Sequence, residues 1–494
     1  MSKTNEPETF YVTTPIYYVN DVPHVGTLYT TLAADVLARH YRAKLGAQNV
    51  LFLTGTDEHG QKIAESASKA GLTPKEFADS IVPHFKSAWD LCNISYDVFM
   101  RTTDQGHIDT VTRIFQKLYD NGHIYKGAYE GMYCVGCEKF VTDSDMVDDR
   151  CPDHPNKDLV YQKEENYFFA LKKFAPILLE KINNGEYEIL PEKRRNEIYK
   201  RVEEGLEDIS ISRESVTWGI PVPWDTKHTF YVWVEALFNY YTATQIQEGR
   251  EKFWPADLHL VGKDIVWFHA CIWEALLIAS GLPLPKKIFG HGFFTLNGQK
   301  MSKSLGNVIS PAELVEAYGV DGARYLILTA FQFGNDGDLT LSKFDEKYNA
   351  DLAHGLGNLV ARTAKLAEGM IFDELSTSSN GSSDGSKGLE LSKKVDHAIE
   401  QLQFDKALTY IWENISAADK ILNETEPWKI KDDMPARQKA LEPVVELIRQ
   451  IALNLQSCMP ETAHKILSQF EVGKPIAVQP SYFNRTIRSA ELTS

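Results

Sequence analysis

The chain has 494 residues, of which 43% are apolar and 24% charged, and its formal net charge is −16. This length suits about three domains, and the composition excludes a wholly disordered, collagen-like or membrane-embedded chain. The acidic balance excludes a protein that coats nucleic acid unselectively, because such binding needs concentrated positive charge, but it permits a local basic patch.

The start of the chain is polar and lacks the apolar segment of a secretory signal, so a cytoplasmic location is expected. The most apolar stretch, residues 266–284, contains His269, Glu274 and Pro283, and it predicts a buried helix with no membrane partner. Six cysteines in this length do not form a disulfide framework. Three of them crowd into residues 134–151, which indicates a metal site in a reducing compartment.

The beginning of the chain alternates between strand and helix patterns. Residues 10–19 predict a buried strand, residues 28–41 carry apolar side chains at helical spacing, and Gly46 follows as the helix stop. Residues 49–53 predict the next short strand. This succession predicts a right-handed parallel unit.

The alternation of strand and helix patterns stops between residues 117 and 255, where clusters of Cys, Gly, Pro and Asp indicate an insertion. Strand patterns return at 258–261 and 287–296, and helical periodicity continues from about residue 342. A Ser/Gly-rich segment at 376–388 predicts a mobile loop. The predicted fold class is α/β, a doubly wound Rossmann-like parallel sheet with an inserted zinc-knuckle domain and a C-terminal α-helical bundle.

A turn between the first strand and helix carries the sequence PHVG at 23–26. Such a turn is where a doubly wound sheet binds nucleotide, because the free N–H groups of the helix N-terminus attract phosphate. Gly26 would let a ligand approach the backbone, and His24 could donate to a phosphoryl oxygen. The alternative is a histidine that simply starts a helix.

A second motif, KMSKSLGN at 300–307, follows the strand pattern at 287–296. Two lysines, small hydroxyl residues and a glycine suit a flexible cationic loop for polyphosphate, although a solvated basic turn has the same composition. In this order the two motifs resemble the HIGH and KMSKS sequences of class I aminoacyl-tRNA synthetases. Further strings resemble the methionyl-tRNA synthetases within that class: TTPIYYVN at 13–20, TGTDEHG at 54–60, YVWVEA at 231–236 and GKDIVWFH at 262–269.

The resemblance extends from about residue 9 to about 460 and implies adenylation of methionine followed by transfer to tRNA(Met), the initiator included. His24, Thr27, Lys300 and Lys303 would be the catalytic residues, with ATP and Mg²⁺ as co-substrate. ATP would be bound by His24, Gly26, Thr27, Gly262, Asp264, Lys300 and Lys303. Thr27 stands where the family has its second HIGH histidine, so more of the phosphate contact is expected to rest on His24, the helix end and Lys303.

Methionine is unbranched, apolar and polarizable, so an aromatic pocket with little polarity is expected for it. The resemblance implies that this pocket is formed by Ile16, Tyr18, Trp233, Ala236, Leu237, Tyr240, Ile265 and His269. Asp57 would pair with the substrate ammonium. The family usually has proline where Leu237 stands, and ordinary core packing is the alternative for every apolar member.

Cys134 and Cys137 are followed, after thirteen residues, by Cys151 and His154. Two ligand pairs at this spacing predict one tetrahedral, structural Zn²⁺ with no open position. Reduced cysteines in a knuckle without metal are the alternative.

The helical region contains GNLVAR at 357–362 and a Pro427-Trp428 pair that is predicted to start a later helix. Asn358 and Arg362 are four residues apart and therefore share a helix face. Asn, Arg and Trp can bond and stack on unpaired RNA bases. By resemblance Asn358, Arg362 and Trp428 read the CAU anticodon; a cap, a surface arginine and a buried tryptophan are the alternative.

Five domains are expected: a catalytic first half at 9–116, the zinc-knuckle insertion at 117–255, a catalytic second half at 256–295, the KMSKS loop with a stem-contact region at 296–345, and the anticodon-binding bundle at 346–494. No sequence after the bundle resembles a dimerisation module, so a monomer is expected. Three rivals remain: a leucine or valine synthetase, which would need a longer editing insertion; a nucleotidyltransferase that does not use tRNA; and a zinc-knuckle RNA-binding protein without catalysis.

Overall fold

A computed structural model describes residues 8–134, 139–141, 146–152, 155–296, 298–300, 308–373 and 384–485. These residues form two compact units, each of which is described by itself. Unit 1 comprises the described residues of Met1–Pro23, Ala47–Ser87 and Tyr96–His291. Unit 2 comprises those of His24–Gly46, Ala88–Ser95 and Gly292–Ser494.

The strands of the described residues are, in chain order, β1 (Phe10–Tyr18), β2 (Val50–Asp57), β3 (Val98–Arg101), β4 (Ile124–Cys134), β5 (Lys139–Val141), β6 (Val160–Phe169), β7 (Glu188–Leu190), β8 (Ile209–Ser210), β9 (Ser212–Arg213), β10 (Thr229–Phe230), β11 (Leu258–Gly262), β12 (Lys287–His291), β13 (Phe294–Leu296), β14 (Gln299–Lys300) and β15 (Gly337–Leu339).

The α-helices are α1 (Val25–Leu45), α2 (Gln61–Ala70), α3 (Pro74–Leu91), α4 (Gln105–Asp120), α5 (Ala175–Asn184), α6 (Glu192–Glu204), α7 (Val232–Glu235), α8 (Asn239–Gln245), α9 (Glu274–Ser280), α10 (Pro311–Tyr318), α11 (Val320–Leu328), α12 (Leu341–Lys347), α13 (Asn358–Leu366), α14 (Asp384–Glu400), α15 (Phe404–Thr425), α16 (Met434–Leu455) and α17 (Pro460–Gln469). Short 3₁₀ segments lie at Ala47–Asn49, Leu171–Phe174, Ala236–Phe238, Glu251–Phe253 and Pro427–Lys429, and π-helical segments at Phe268–Trp273 and Tyr348–Gly357.

Unit 1 is built on a six-stranded sheet in the order β3-β2-β1-β11-β12-β7, and all its neighbouring strands are parallel. Every residue of β2 is buried, as expected of a parallel strand covered on both faces. The chain runs outward from β1 in both directions, which creates a switch point between β1 and β11 where ligands bind in such sheets. The predicted α/β fold with a parallel sheet is confirmed.

The strand pattern at 287–296 is divided in the structure, where the prediction had one strand. β12 belongs to the parallel sheet of unit 1, while β13 in unit 2 pairs with β14 and β15. Gly292 marks the break, because a Cβ atom there would lie 2.3 Å from the backbone of Asn335. The close approach of two backbones therefore ends the first strand and requires glycine.

A second sheet in unit 1 is antiparallel, in the order β5-β4-β6-β8, and its centre is the long β4–β6 ladder. It lies within the range predicted as an insertion. One strand from that range, β7, instead extends the main sheet and pairs with β12. The five domain bounds remain a prediction.

Unit 2 is mainly helical, which confirms the predicted helical C-terminal region. The apolar repeat at 395–415 belongs to two helices, α14 and α15, because Leu402 between them has a φ of 59°. The first residues of α14, 384–388, fall within the predicted loop, and residues 374–383 lie outside the described residues.

The sequence predicted that Pro427 and Trp428 start a later helix. In the structure they instead form a short 3₁₀ turn that precedes this helix. α16 begins later, at Met434, because the Asp433 side chain accepts a hydrogen bond from the Ala436 N–H and caps it. The apolar stretch at 266–284 is a buried π-helical segment followed by α9. Within the described part of the chain, no helix is long and apolar enough to cross a membrane.

A buried guanidinium ties four segments of unit 2 together. Arg324 on α11 donates to the Asp35 carboxylate on α1 at 2.7 Å, and to the backbone carbonyls of Cys92 at 3.1 Å and Cys458 at 2.9 Å. Burial alone would raise the pKa of Asp35, but Arg324 and Arg39 hold it below its usual range. Asp35 is therefore a charged acceptor at the centre of this unit.

Candidate active site

The N-terminus of α1 is closed by a reciprocal capping box. The Gly26 N–H donates to His24 Nδ1 at 3.0 Å, and the His24 N–H donates to the Thr27 hydroxyl at 3.0 Å. The Thr27 hydroxyl in turn donates to the His24 carbonyl at 2.7 Å. The predicted phosphate-binding turn is thus a rigid helix start, since its side chains satisfy N–H groups that a helix end leaves open.

This geometry fixes the histidine tautomer. Because Nδ1 of His24 accepts a hydrogen bond, the proton of the neutral ring is on Nε2. A Cβ atom on Gly26 would lie 2.8 Å from Cε1 of His24, so the glycine makes room for this ring. Thr27, predicted as a catalytic and ATP-binding residue, uses its hydroxyl in hydrogen bonds within its own helix turn.

The lysine motif is flanked by two described structures of unit 2. Lys300 pairs with Thr295 in the β13–β14 hairpin, whereas Lys303 lies outside the described residues. Beyond the motif, the Ile309 carbonyl accepts a hydrogen bond from the Val25 N–H at 2.9 Å. The chain leaving the motif is therefore fastened to the first turn of α1, next to His24.

The predicted methionine residues of unit 1 include three at the ends of neighbouring parallel strands. Tyr18 on β1 pairs with Asp57 on β2, and Ile16 pairs with Gly55. The Asp57 side chain is buried. The carboxyl ends of these strands lie at the edge where doubly wound sheets bind their ligands.

A hydrogen-bonded chain joins three more of the predicted residues. His269 Nδ1 lies 2.9 Å from the Ile265 carbonyl, and its Nε2 lies 2.7 Å from the Tyr240 hydroxyl. A carbonyl only accepts, so Nδ1 carries the proton and Nε2 accepts from tyrosine. Burial lowers the pKa of His269 to about 4, so the ring is neutral at physiological pH.

Aromatic and apolar side chains accompany the hydrogen bonds of Tyr240, His269 and Ile265. Trp233 stacks on Phe268 with ring centroids 4.9 Å apart. Ala236 and Leu237 are buried in the 3₁₀ segment that follows α7. Phe268 was not predicted, although its position directly before His269 in the sequence could have indicated it.

Two predicted ATP residues follow the edge of β11. Gly262 is buried at the end of this strand, and its carbonyl accepts a hydrogen bond from the Ile265 N–H at 3.1 Å. Asp264 is exposed in the turn that follows. Gly262 is the last residue of β11 and Asp264 lies two residues beyond it, at the sheet edge where doubly wound sheets bind ligands.

The sequence analysis did not predict a buried ionic cluster in unit 1, formed by Glu235, His59 and His107. The Glu235 carboxylate lies 2.7 Å from His59 Nδ1 and 2.8 Å from His107 Nε2. Close by in sequence, Glu58 receives two hydrogen bonds from the Arg101 guanidinium, at 2.6 and 2.8 Å. Charged residues inside otherwise apolar strings were the available signal, but their partners are far apart in the chain.

In unit 2 the predicted anticodon residues are close together. Arg362 donates to Asp419 at 2.9 Å and to Asn423 at 3.1 Å, and its guanidinium lies 5.8 Å from the Trp428 ring centroid. Trp428 is 36% exposed, so part of this residue is accessible to solvent. Asn358 is exposed one helical turn before Arg362.

Two of the four predicted zinc ligands can be placed. Cys134 and Cys151 are both buried in one small cluster with Val141. Cys137 and His154 lie outside the described residues. Among the side chains that the structure describes, no group of three or more His, Cys, Asp or Glu residues could hold a metal ion.

The capped start of α1 and the hydrogen bond that joins it to Ile309 beyond the lysine motif, both in unit 2, suit an enzyme that acts on a nucleoside triphosphate. The family described as "tRNA synthetases class I (M)" matches residues 10–159 and 154–364 of the chain. Fold, site and this match define the protein as a class I aminoacyl-tRNA synthetase.

Known proteins narrow the class further. A methionine–tRNA ligase of Caldanaerobacter subterraneus subsp. tengcongensis is 45% identical over 96% of this chain and 76% of its own length, and one of Nostoc sp. is 42% identical over 96% and 92%. The structure of Mycobacterium tuberculosis methionyl-tRNA synthetase in complex with methionyl-adenylate has 35% identity and a TM-score of 0.89, and the match covers 97% of this chain and 100% of that one. The chain therefore belongs to the methionyl-tRNA synthetase family.

Its activity follows from this membership. The enzyme joins methionine to ATP, which gives methionyl-adenylate and pyrophosphate, and then transfers methionine to the 3′ end of tRNA(Met). ATP and Mg²⁺ are the co-substrates expected for the family. The three rival functions left open by the sequence are thereby excluded.

Proposed function

We propose that unit 1 selects methionine through the Tyr240–His269–Ile265 chain, and this chain is the observation that carries the assignment. It offers a neutral, fully hydrogen-bonded polar group among apolar side chains. Such a surface suits an uncharged, polarizable thioether and penalises charged or strongly polar competitors. Ile16, Tyr18, Trp233, Ala236, Leu237 and Ile265 supply the apolar wall, and the Asp57 carboxylate pairs with the substrate ammonium.

Methionine-dependent ATP–pyrophosphate exchange tests this site. Trp233→Ala is expected to raise the KM for methionine by about tenfold or more, as loss of hydrophobic pocket contacts does, and to leave the KM for ATP unchanged. Trp224→Ala is the matched control, because Trp224 stacks on Tyr119 with ring centroids 4.2 Å apart, outside the proposed site. Equal methionine KM values for the two variants would contradict the assignment.

The phosphate chemistry is assigned to the α1 N-terminus and the lysine motif. The methionine carboxylate attacks the α-phosphorus, the bond to the bridging oxygen breaks, and pyrophosphate leaves. The Nε2–H of His24 donates to a phosphoryl oxygen, while Lys300 and Lys303 bind the leaving pyrophosphate. Gly26, Thr27, Gly262 and Asp264 complete the ATP site, and Mg²⁺, when bound, neutralises phosphate oxygens. The hydrogen bond from the Val25 N–H to the Ile309 carbonyl supports a joint role of the α1 N-terminus and the lysine motif.

Lys303→Ala tests the role of the motif. If Lys303 stabilises charge that develops on pyrophosphate, the exchange rate should fall by about 10²–10³, while methionine binding stays nearly normal. Lys343→Ala, a change of an exposed lysine on α12, is the control and should leave the rate unchanged. A Lys303→Ala enzyme with near-normal exchange would rule out the assignment.

Asn358, Arg362 and Trp428 are assigned to the CAU anticodon of tRNA(Met), the initiator included. The partly exposed Trp428 ring gives a base a surface to stack on, and the adjacent Arg362 guanidinium gives it a hydrogen-bond donor. Asp419 and Asn423 hold that guanidinium in place.

One structural Zn²⁺ is assigned to Cys134, Cys137, Cys151 and His154. The shared cluster of Cys134 and Cys151 supports it, because it brings together thiols that are 17 positions apart in the chain. Three thiolates and one imidazole form a donor set that zinc takes in closed tetrahedral sites. Zinc would fix the fold of this knuckle and take no part in adenylation.

The remaining assignments are the five domain bounds, a cytoplasmic location and a monomeric state. Charging of tRNA takes place where proteins are synthesised, which supports the cytoplasm. Light scattering on the purified enzyme tests the monomer directly, because a mass near 56 kDa is expected from the chain mass of 55.9 kDa.

A further inference from the structure

One fully buried carboxylate connects three elements of unit 1. Glu235, the last residue of α7, is bonded to His59 in the segment after β2 and to His107 on α4. The relative exposure of the Glu235 and His107 side chains is 0%, and that of His59 is 5%. The cluster is therefore sealed from solvent.

The protonation states follow from the donors available. A carboxylate only accepts, so His59 donates from Nδ1–H and His107 from Nε2–H. Burial alone would raise the pKa of Glu235, but His59 and His107 hold it below its usual range. Nδ1 of His107 is buried and finds no hydrogen-bond partner among the described residues.

The cluster connects the two segments that carry parts of the proposed methionine site, one with Asp57 and one with Trp233 and Ala236. His59 follows Asp57 by two residues, and Glu235 stands between Trp233 and Ala236 in the chain. The indole of Trp218 packs edge-on against His59, with ring centroids 5.3 Å apart, and donates to the Glu58 carbonyl at 2.6 Å. The segment that carries Asp57 is therefore held from two sides.

We propose that Glu235 is a positioning residue for methionine: through His59 it fixes the Asp57 carboxylate relative to the wall that carries Trp233 and Ala236. His107 fixes the Glu235 carboxylate itself. The substrate ammonium and side chain must be bound at the same time, so the separation between these two parts sets methionine affinity. This inference rests on the methionine site proposed above.

Glu235→Gln tests the proposal, because it keeps the shape of the side chain but removes its charge and one of its two acceptors. The KM for methionine in pyrophosphate exchange is expected to rise by about ten- to a hundredfold, the usual effect of a misplaced binding group. The KM for ATP should stay within about twofold, since a structural defect alone would not single out methionine.

Glu274→Gln is the matched control. Glu274 is also a fully buried glutamate of unit 1, but neither of its carboxyl oxygens has a hydrogen-bond partner in the described part of the chain. Burial raises the pKa of Glu274 well above its usual value, so Glu274→Gln controls for a buried Glu-to-Gln change as such and should leave the KM for methionine unchanged.

The histidines give an independent test should Glu235→Gln fail to fold. The amide nitrogen of Asn occupies the position of Nδ1, so His59→Asn keeps the donor to Glu235, whereas His59→Ala removes it. By the same geometry His107→Gln keeps the donor at Nε2, and His107→Leu removes it. Asn and Gln are expected to retain the wild-type KM for methionine, and Ala and Leu to raise it.

The possible outcomes are separable. A folded Glu235→Gln or His59→Ala enzyme with the wild-type KM for methionine would overturn the proposal, and so would an equal rise in both KM values. If Trp233→Ala raises the KM for methionine and the Glu235 and His59 variants do not, the positioning role alone is wrong. If Trp233→Ala also has no effect, the methionine site itself is wrong, and the positioning role with it.

Discussion

At the scale of single residues, burial selects the protonation state of two histidines in unit 1, His259 and His269. His259 accepts from the Trp273 indole N–H at 3.3 Å and contacts the Thr13 hydroxyl at 2.7 Å. Burial lowers the pKa of His259 well below its usual value and that of His269 to about 4. Both rings are neutral and accept hydrogen bonds. The interior around His259 and His269 is therefore polar but carries no charge.

These shifts make stability depend on pH in a defined direction. Between pH 6.5 and about 4 the unfolded chain binds a proton at His269 that the folded chain excludes. Stability is therefore fully present above pH 6.5 and is lost as the pH falls through this window, by about 3 kcal/mol for His269. Urea midpoints measured from pH 7 to 4 check this.

Two variants assign the slope to its residue. His269→Gln cannot titrate and should remove the part of this loss that His269 contributes between pH 6.5 and 4, while the part due to His259 remains. His84→Gln, a change of an exposed histidine on α3, should leave the slope as it is. If both variants keep the full slope, His269 does not titrate in this window.

At the scale of elements, the start of α1 is the clearest case of a motif with two roles. The capping box that stabilises the helix also orients the His24 ring. Thr27 thus supports His24 through the backbone, which explains how threonine can occupy the position of the family's second histidine.

We expect Thr27→Val to lower both stability and adenylation. Loss of the cap should cost about 1 kcal/mol of unfolding free energy, and the exchange rate should fall because His24 loses its fixed orientation. Thr27→Ser keeps the hydroxyl and should retain both. A variant that loses rate at unchanged stability would show instead that the Thr27 hydroxyl acts on phosphate.

The β4–β6 region gives a prediction about metal. The purified enzyme should contain about one zinc per chain, and Cys134→Ser and Cys151→Ser should both lose it. A chelator should slow transfer to tRNA more than adenylate formation, because the zinc ligands are assigned to the predicted insertion and not to the nucleotide-binding fold. Metal analysis that finds no zinc in protein never exposed to chelator would favour a knuckle without metal.

At the scale of the whole molecule, the two activities are assigned to different residues. Adenylation is assigned to the methionine site, the start of α1 and the lysine motif, whereas anticodon recognition is assigned to Asn358, Arg362 and Trp428. The two reactions can be assayed separately, since no tRNA takes part in pyrophosphate exchange.

Trp428→Ala should separate these activities. A stacked base contributes about 1–3 kcal/mol, so aminoacylation should fall by roughly ten- to a hundredfold, while exchange stays nearly unchanged. The 36% exposure of Trp428 predicts that the variant remains folded. Melting curves and both rates are the measurements.

Two further variants make the result unambiguous. Trp428→Phe keeps an aromatic surface and should recover much of the aminoacylation. Trp412→Ala removes a ring that stacks on Tyr325 at 4.5 Å, and it should lower the melting temperature instead. If Trp428→Ala behaves like Trp412→Ala, the ring is part of the core, and if it has no effect, the anticodon is read elsewhere.

The sequence alone determined what depends on short-range pattern. Period and composition predicted β1, α1 with its Gly46 end, the parallel sheet and the helical region, because these follow from local propensity and alternation. The strings at 23–26 and 300–307 indicated phosphate chemistry when taken together, whereas each alone also suits an ordinary helix start or a solvated turn. The resemblance, rather than any spacing, supplied methionine and the anticodon residues.

Only the tertiary structure decided which side chains meet. Tyr240 and His269 are 29 positions apart, and Glu235 and His59 are 176 apart. No local pattern encodes such a pair, because each partner reads as an ordinary polar residue in its own segment. The division of the strand pattern at 287–296 by Gly292 also depends on a distant contact, because the backbone that Gly292 approaches is more than 40 positions away. Hydrogen bonds and steric contacts act over a few ångströms of space, whatever the separation in sequence, so they become visible only after the chain has folded.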